Sequence, residues 1–480
     1  MEIWMVASEM APFAKTGGLA DVTAALPDAL VRAGHSVTCV LPYYRSVREQ
    51  ITVKEPGVEL SVPLGERQTR GRLLEAVTPQ GVHLCLVRRD EYFDRSFLYG
   101  TPERDYDDNA ERFIFFSKAA HQIPRLLNRR PDLYHCHDWQ AALAPLLVLL
   151  DRQSAGFYSR TQTVFTIHNL AYQGIFWALD FPMTNLPAAF FAPDGLEYYG
   201  NINLMKAGIL FSDAVTTVSP TYATEIQTPE FGCGLHDVVA ARKDRLIGIL
   251  NGVDLAQWHP SFDNLIPARY SADNLAGKEL CRAHLLSRCG FDPDPDRQVP
   301  VIGWIGRLVE QKGLDLLMPV LSHILDLPAR LVVLGDGEPR YTRELQRLAR
   351  SRPESMTATF GYDNRLAHQI EAGADIFLMP SRFEPCGLNQ MYSLLYGTVP
   401  VVHAVGGLAD TVHAWDPAAK TGNGFPFKPL TSGALRRAVA DAVGAWRDRE
   451  QWAAIQHNGM RGDYGWDHAA ARYLEVYRGA

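Results

Sequence analysis

The chain has 480 residues, with 47 Lys and Arg against 54 Asp and Glu, giving a formal net charge of −7. At roughly 150 residues per domain, this length excludes a single small module and allows about three domains or two large α/β domains. A composition of 47% hydrophobic and 21% charged residues excludes a disordered chain, and the acidic balance provides no general field for nucleic acid or an anionic membrane, which leaves a neutral or locally recognised partner.

The chain opens on MEIWMVASEM, with an acid at position 2 and no basic flank, and reads as a first strand rather than a signal peptide. Lys15-Thr16-Gly17-Gly18-Leu19 follows, between that strand and the first predicted helix. A cation beside a Gly-Gly turn at a helix N-terminus suits phosphate, although a structural turn with a solvated lysine accounts for the same residues. The pattern is neither a Walker A sequence nor GxGxxG, so neither nucleotide fingerprint applies. Further apolar runs, HSVTCVLP, VHLCLVRR, DLYHCHD, TVFTIHN and DAVTTVS, read as strands separated by amphipathic helices. The HxHD of His135, His137 and Asp138 could be a metal fragment, but no third ligand is evident. His135 reads as a buried strand histidine, whereas His137, Asp138 and His168 fall at strand C-termini, where α/β ligands bind. The longest apolar stretch, Ala141 to Leu150, is about half of what crosses a bilayer.

After LIGILNGVD the sequence turns irregular and polar, a helix is predicted from Ala276 to Cys289, and FDPDPDRQVP is dense in Pro and Asp, so a domain break is expected between Asn251 and Pro300. Strand VIGWIG leads into Gly306 to Gly313, where Arg307 and Lys312 lie five residues apart and can both reach a diphosphate, or are two solvated loop cations. Strands ARLVVLGDG and ADIFLMPS precede Arg382-Phe383-Glu384-Pro385-Cys386-Gly387-Leu388-Asn389. Pro385 suits the start of a helix, which would set the Gly387 and Leu388 amides near its first turn and make Glu384 a site carboxylate or an ordinary N-terminal helix acid. After VPVVHAV, Gly406-Gly407-Leu408-Ala409-Asp410 repeats residues 17 to 21, and each glycine pair is expected to let backbone approach a ligand. His468 to Tyr477 reads as a final helix. Strands alternating with helices predict an α/β fold of two doubly wound domains. Seven scattered cysteines without a CxxC pair predict a reduced, cytoplasmic setting, and no GxSxG supports a serine hydrolase.

KTGGLADV (15 to 22), YDDNAERFIFFSKA (106 to 119), HCHDWQ (135 to 140), TIHNLAYQG (166 to 174), LNGVD (250 to 254), GRLVEQKG (306 to 313), SRFEPCGLNQ (381 to 390) and GGLADTV (406 to 412) together resemble the bacterial glycogen synthase and plant starch synthase family. The resemblance spans essentially the whole chain. It implies a GT-B fold with two Rossmann-like domains facing across a cleft: an N-terminal acceptor-side domain at 1–248, a C-terminal nucleotide-sugar domain at 249–460, and a helix at 461–480 returning to the first. The implied activity is retaining transfer of glucose from ADP-glucose to the non-reducing end of an α-1,4-glucan. ADP-glucose is then a substrate, with no cofactor, metal, nucleic-acid or membrane partner expected.

By motif, His168, Arg307, Lys312 and Glu384 resemble the catalytic set, with His168 beside the transferred glucose and Glu384 binding its hydroxyls. Lys15, Gly17, Gly18, Asp21, Asn251, Cys386, Gly387, Leu388 and Asn389 resemble donor-side positions, Tyr362 the aromatic on adenine, and Asp138, Trp139 and Asn169 the acceptor side. Tyr392 stands where many retaining GT-B enzymes carry a second Glu, as in this family's own pattern, while Asn389 where many bacterial members carry Thr, His259 in a WNP-like stretch, and Asp94-Arg95-Ser96-Phe97 in place of a DRPG-like turn depart from the family. Other readings are a GT-B transferase with another donor or a small acceptor, and an inactive glucan-binding homologue.

Overall fold

Near-continuous apolar runs become central parallel strands because both sheet faces are covered by helices. The computed structural model describes residues 1–101, 103–292 and 299–479; positions 293–298 of the predicted Pro- and Asp-rich linker lie outside the described residues. The chain forms two compact units, Met1–Gly252 with Trp466–Ala480, and Val253–Gly465.

The first unit contains strands β1 (Glu2–Val6), β2 (Ser36–Pro42), β3 (Glu59–Leu64), β4 (Arg67–Val77), β5 (His83–Arg88), β6 (Leu133–His137) and β7 (Gln162–Ile167). These are followed by β8 (Ile175–Trp177), β9 (Glu197–Tyr198), β10 (Asn201–Asn203), β11 (Ala214–Thr217) and β12 (Leu246–Gly248). Nine of them form one sheet in the order β12-β11-β7-β6-β1-β2-β5-β4-β3, and β8-β10-β9 form a small separate sheet. Pairing is parallel from β12 to β5, whereas β3 and β4 are an antiparallel hairpin at the edge. The chain order reverses at β1, whose neighbours are β2 and β6, so the loops after β1 and β6 open a crevice at their C-terminal ends.

The second unit is an all-parallel sheet of β13 (Val301–Leu308), β14 (Arg330–Gly337), β15 (Met356–Phe360), β16 (Ile376–Met379), β17 (Val399–His403) and β18 (Phe425–Phe427), ordered β15-β14-β13-β16-β17-β18. This is the doubly wound dinucleotide-fold order, with its switch point between β13 and β16. Ile302, Leu331, Val333, Leu378 and Val401 form its core beneath the covering helices.

The helix predicted after residue 276 spans Ala276–Arg288. The last helix, Trp466–Gly479, buries Trp466, Ala469, Ala470, Tyr473 and Tyr477 in the first unit. No helix among the described residues is long and apolar enough to cross a membrane. None of the seven cysteines is in a disulfide.

Candidate active site

In the first unit the crevice is built from three strand ends. The loop after β1 is organised by Glu9, a residue without any sequence signature, which is only 3% exposed. Its carboxylate accepts hydrogen bonds from the Thr16 backbone N–H (2.6 Å), the Thr16 hydroxyl (2.6 Å), the Gly17 N–H (3.3 Å) and the Tyr99 hydroxyl (2.8 Å). A buried carboxylate satisfied in this way fixes the loop that carries Lys15. Lys15 itself is half exposed and pairs with Asp21 at 2.6 Å. Gly17 caps helix Gly18–Arg32, and a Cβ added at either Gly17 or Gly18 would meet nothing within 4 Å. Backbone is therefore presented to open space at a helix N-terminus, as an anion requires.

At the ends of β6 and β7, His137 Nδ1 and His168 Nε2 are hydrogen-bonded at 3.0 Å, one ring donating to the other. His135 lies behind them, bonded to the Tyr477 hydroxyl (2.8 Å) and to Thr166 Oγ1 (2.6 Å). Burial pushes His135 and His168 each down to about 3 and holds His137 well below the usual imidazole range, so all three are neutral near pH 7. Asp138 adopts φ +54 and accepts the His168 backbone N–H at 2.7 Å. Burial raises its carboxyl to about 8 despite that bond. Asn169 turns its side-chain oxygen to the Ala171 N–H (3.0 Å). Trp139 is packed, 9% exposed, edge-on to Phe113 and Phe176 with centroids 4.9 and 5.5 Å away. Asn251 Oδ1 is buried without a partner among the described residues.

In the second unit, Arg307 is the penultimate residue of β13 rather than a loop residue; it is exposed and makes no ion pair among the described residues. Lys312 ends the short helix Glu310–Lys312 and pairs with Glu384 at 2.6 Å, and Ser381 donates to the same carboxylate oxygen at 3.0 Å. With side chains only 24% and 10% exposed, this pair is poorly screened by solvent. The two loops are joined by backbone and side chain: Arg382 N–H donates to Gln311 O (2.9 Å), and Gln311 Nε2 donates to Phe383 O (2.7 Å). Gly313, at φ +76, lets its backbone pass where a Cβ would lie 2.0 Å from Pro380 O. Lys312, Ser381, Glu384, Gly387 and Asn389 line a cavity of about 140 Å³ at the β13/β16 switch point. A larger cavity of about 730 Å³ lies at the β3-β4-β5 edge, away from the β1 switch point. Its arginines are paired with carboxylates, Arg70 with Glu59 and Arg72 with Glu55 among them, so it has no comparable uncompensated cation.

Two further expectations are corrected. The helix after Glu384 does not start at Pro385: Gly387 takes φ +70, Leu388 caps, and the helix spans Asn389–Leu395, because a left-handed residue cannot lie within a right-handed helix. The two glycine pairs are also not equivalent. A Cβ on Gly406 would lie 2.1 Å from Glu384 O and one on Gly407 2.0 Å from Cys386 O, so the second copy packs on the chain's own Glu384-Pro385-Cys386 backbone. Cys386 is buried, and Asn389 Nδ2 reaches Ile305 O at 3.3 Å, tying its helix to β13. Tyr362 is 91% exposed on the loop after β15. Tyr392 stacks on Trp258 at 4.1 Å, and Trp258 on His368 at 3.7 Å, so the site of the missing second Glu is occupied by an aromatic stack. Among the described residues no three His, Cys, Asp or Glu side chains gather as a metal-ligating group.

A family model described as starch synthase catalytic domain matches residues 2–241, and one described as glycosyl transferases group 1 matches residues 291–457. The glycogen synthase of Opitutus terrae is 48% identical over 480 residues, covering 100% of this chain and 99% of that protein. Glycogen synthase 2 of Geobacter sulfurreducens is 46% identical, covering 100% and 98%. The catalytic domain of starch synthase IV from Arabidopsis thaliana, solved bound to ADP and acarbose, superposes with a TM-score of 0.89 at 32% identity, covering 100% of this chain and 99% of that one. A sucrose-phosphate synthase from Thermosynechococcus elongatus shares the fold at TM-score 0.61 and 16% identity. Two Rossmann-like units, each with its motifs on loops after strand C-termini, and relatives matched along nearly their full length establish that the chain belongs to the glycogen synthase and starch synthase family of GT-B glycosyltransferases.

Proposed function

We propose that the enzyme transfers glucose from ADP-glucose to the non-reducing end of an α-1,4-glucan with retention of configuration. The observation that carries this reading is the Lys312–Glu384 pair in the cavity at the β13/β16 switch point, with exposed Arg307 next in sequence to Gly306 of the cavity lining. A carboxylate held by a lysine and a serine can accept hydrogen bonds from sugar hydroxyls, while Arg307 and Lys312 neutralise a leaving diphosphate. The Gly387 and Leu388 amides, Cys386 and Asn389 border the same donor, and exposed Tyr362 packs on its adenine.

In the first unit, Lys15, Gly17, Gly18, Asp21 and Asn251 support the donor, and His168 faces the transferred glucose. Asp138, Trp139 and Asn169 shape the acceptor side. The domains are thus an acceptor-side unit and a nucleotide-sugar unit. In the reaction, the C1–O bond to phosphate breaks while C1 bonds to the acceptor O4 on the same face, and the O4 proton passes to the departing phosphate oxygen. Glu384 stabilises this state without bonding to C1. The enzyme acts in the reducing cytoplasm, in keeping with seven cysteines that form no disulfide.

A donor panel with glycogen as acceptor tests the reading. ADP release from ADP-glucose that depends on primer supports it. Turnover of another nucleotide sugar on a small acceptor, without primer, refutes it. Mass spectrometry of a stalled reaction provides a second test, since a glucosyl group on Glu384 would overturn the same-face step.

A further inference from the structure

The HxHD motif builds a row of rings that reaches beyond the groups the transfer itself uses. Parallel pairing sets His135 of β6 opposite Val164 of β7, and His137 opposite Thr166. Strand alternation then brings His135, His137, Thr166 and His168 onto one face. His135 Nε2 meets Thr166 Oγ1 at 2.6 Å, and the His135 and His137 rings lie 4.0 Å apart at 36°. His137 continues the row to His168, Nδ1 to Nε2 at 3.0 Å. His168 is thereby held by two consecutive residues: Asp138 accepts its backbone N–H at 2.7 Å, and His137 bonds its ring.

Burial holds both imidazoles of this bond neutral near pH 7, and that links their protons. A neutral imidazole carries one N–H, and a bond between two ring nitrogens needs one N–H facing one lone pair. If His168 donates from Nε2, His137 must carry its own proton on Nε2. That atom is buried with no partner among the described residues, so an N–H there forfeits about 1–3 kcal/mol. If His137 donates from Nδ1 instead, its Nε2 is a bare lone pair, which a buried site tolerates better than an unpaired N–H. His168 Nε2 is then the acceptor, and the single proton of His168 lies on Nδ1. His168 Nδ1 makes no hydrogen bond among the described residues and, unlike His137 Nε2, is not sealed from solvent.

We propose that His137 is a positioning residue for glucose transfer: by donating from Nδ1 it fixes His168 as the Nδ1–H tautomer, so that His168 offers a hydrogen-bond donor to an oxygen of the transferred glucose. The proposal rests on the reading above that His168 faces that sugar. A ring nitrogen that already carries a proton cannot take one from the acceptor hydroxyl, so His168 acts as a donor and not as the base. The Asp138 bond sets the backbone of His168 and the His137 bond sets the rotation of its ring, and both are needed to aim one N–H at one oxygen.

Heteronuclear NMR on protein labelled in the histidine ring nitrogens reads the tautomer directly, with the His168 signals assigned by their loss in His168→Gln. The expected spectrum at neutral pH shows His168 protonated on Nδ1 and bare on Nε2. A proton on Nε2, or on both nitrogens, overturns the proposal. His137→Phe keeps a ring in the row and removes the donor. It should let the Nε2–H form of His168 appear and lower kcat about tenfold, with KM for ADP-glucose and for glycogen within about twofold of the parent. His137→Asn, whose amide N–H can stand in for Nδ1–H, should restore the Nδ1–H form and recover most of that loss. Parental kcat in a folded His137→Phe protein would overturn the positioning role, as would equal losses in the Phe and Asn variants. Should His137→Phe fail to fold, the parental spectrum decides. If the parent does not elongate glycogen, the functional reading fails, while the His168 spectrum still decides the tautomer.

Discussion

The two Gly-Gly-Leu-Ala-Asp copies should respond in opposite ways to one added methyl group. At Gly406 the new Cβ falls 2.1 Å from the Glu384 carbonyl oxygen, where ordinary contacts begin near 3.4 Å, and the backbone sits at φ +47. Left-handed backbone costs about 1–2 kcal/mol for alanine, and overpacking against immovable backbone adds about 1–3 kcal/mol, so Gly406→Ala should destabilise by about 3 kcal/mol. For a unit of this size that lowers the unfolding midpoint by about 6–12 °C. At Gly18, the first residue of helix Gly18–Arg32, the methyl meets nothing within 4 Å. Gly18→Ala should therefore gain about 0.5–1 kcal/mol from reduced chain entropy and melt about 1–4 °C higher. It should also raise the KM for ADP-glucose about tenfold, because the methyl stands where an anion approaches the helix N-terminus. Calorimetry supplies the midpoints and initial rates supply KM. A Gly406→Ala protein melting with the parent, or a Gly18→Ala protein melting well below it, would refute the division into a packing copy and a binding copy.

Glu384→Ala should lower kcat by about 10²-fold or more, equivalent to about 2.7 kcal/mol, because it removes a preorganised contact to the reacting sugar. Its circular dichroism should match the parent, and near-parental turnover would remove Glu384 from the site. Stability should fall as pH drops from about 6.5 to about 4, since burial pushes His121 down to about 4. The unfolded chain binds the proton through that window and the folded chain does not, as also at His135, His137 and His168, so His121→Leu should remove one of four such contributions and lessen the slope measured by urea unfolding between those pH values. An unchanged slope would show that the imidazole is solvated.

Strands such as β1 and β16 were legible because burial on both faces leaves a run of four apolar residues in each, Ile3 to Val6 and Ile376 to Met379. The hairpin β3-β4 was not, because one of its faces is solvated: Arg67, Gln68, Arg70 and Arg72 are all exposed and interrupt the apolar run. Catalytic candidates were legible where a motif coincides with a strand C-terminus, as at His168 and Glu384. Glu9 was invisible for the opposite reason. Its importance lies in four hydrogen bonds to a loop and a tyrosine 90 residues away, which no local pattern encodes. The glycine repeat misled because identical pentapeptides face open space in one place and backbone in the other, a distinction made by tertiary neighbours alone.

The final helix bears on the order in which the protein is made. Tyr477 bonds His135 across 342 residues of sequence, and Tyr473 lies against the same imidazole at 5.6 Å. A ribosome emitting residues 1–252 has not yet produced the segment that covers this histidine, and the whole second unit must emerge first. The first unit therefore begins folding first and is completed last. Loss of a few residues at the C-terminus would leave the second unit whole, yet uncover the floor beneath His137 and His168, so a truncated chain would be inert despite retaining every candidate donor residue.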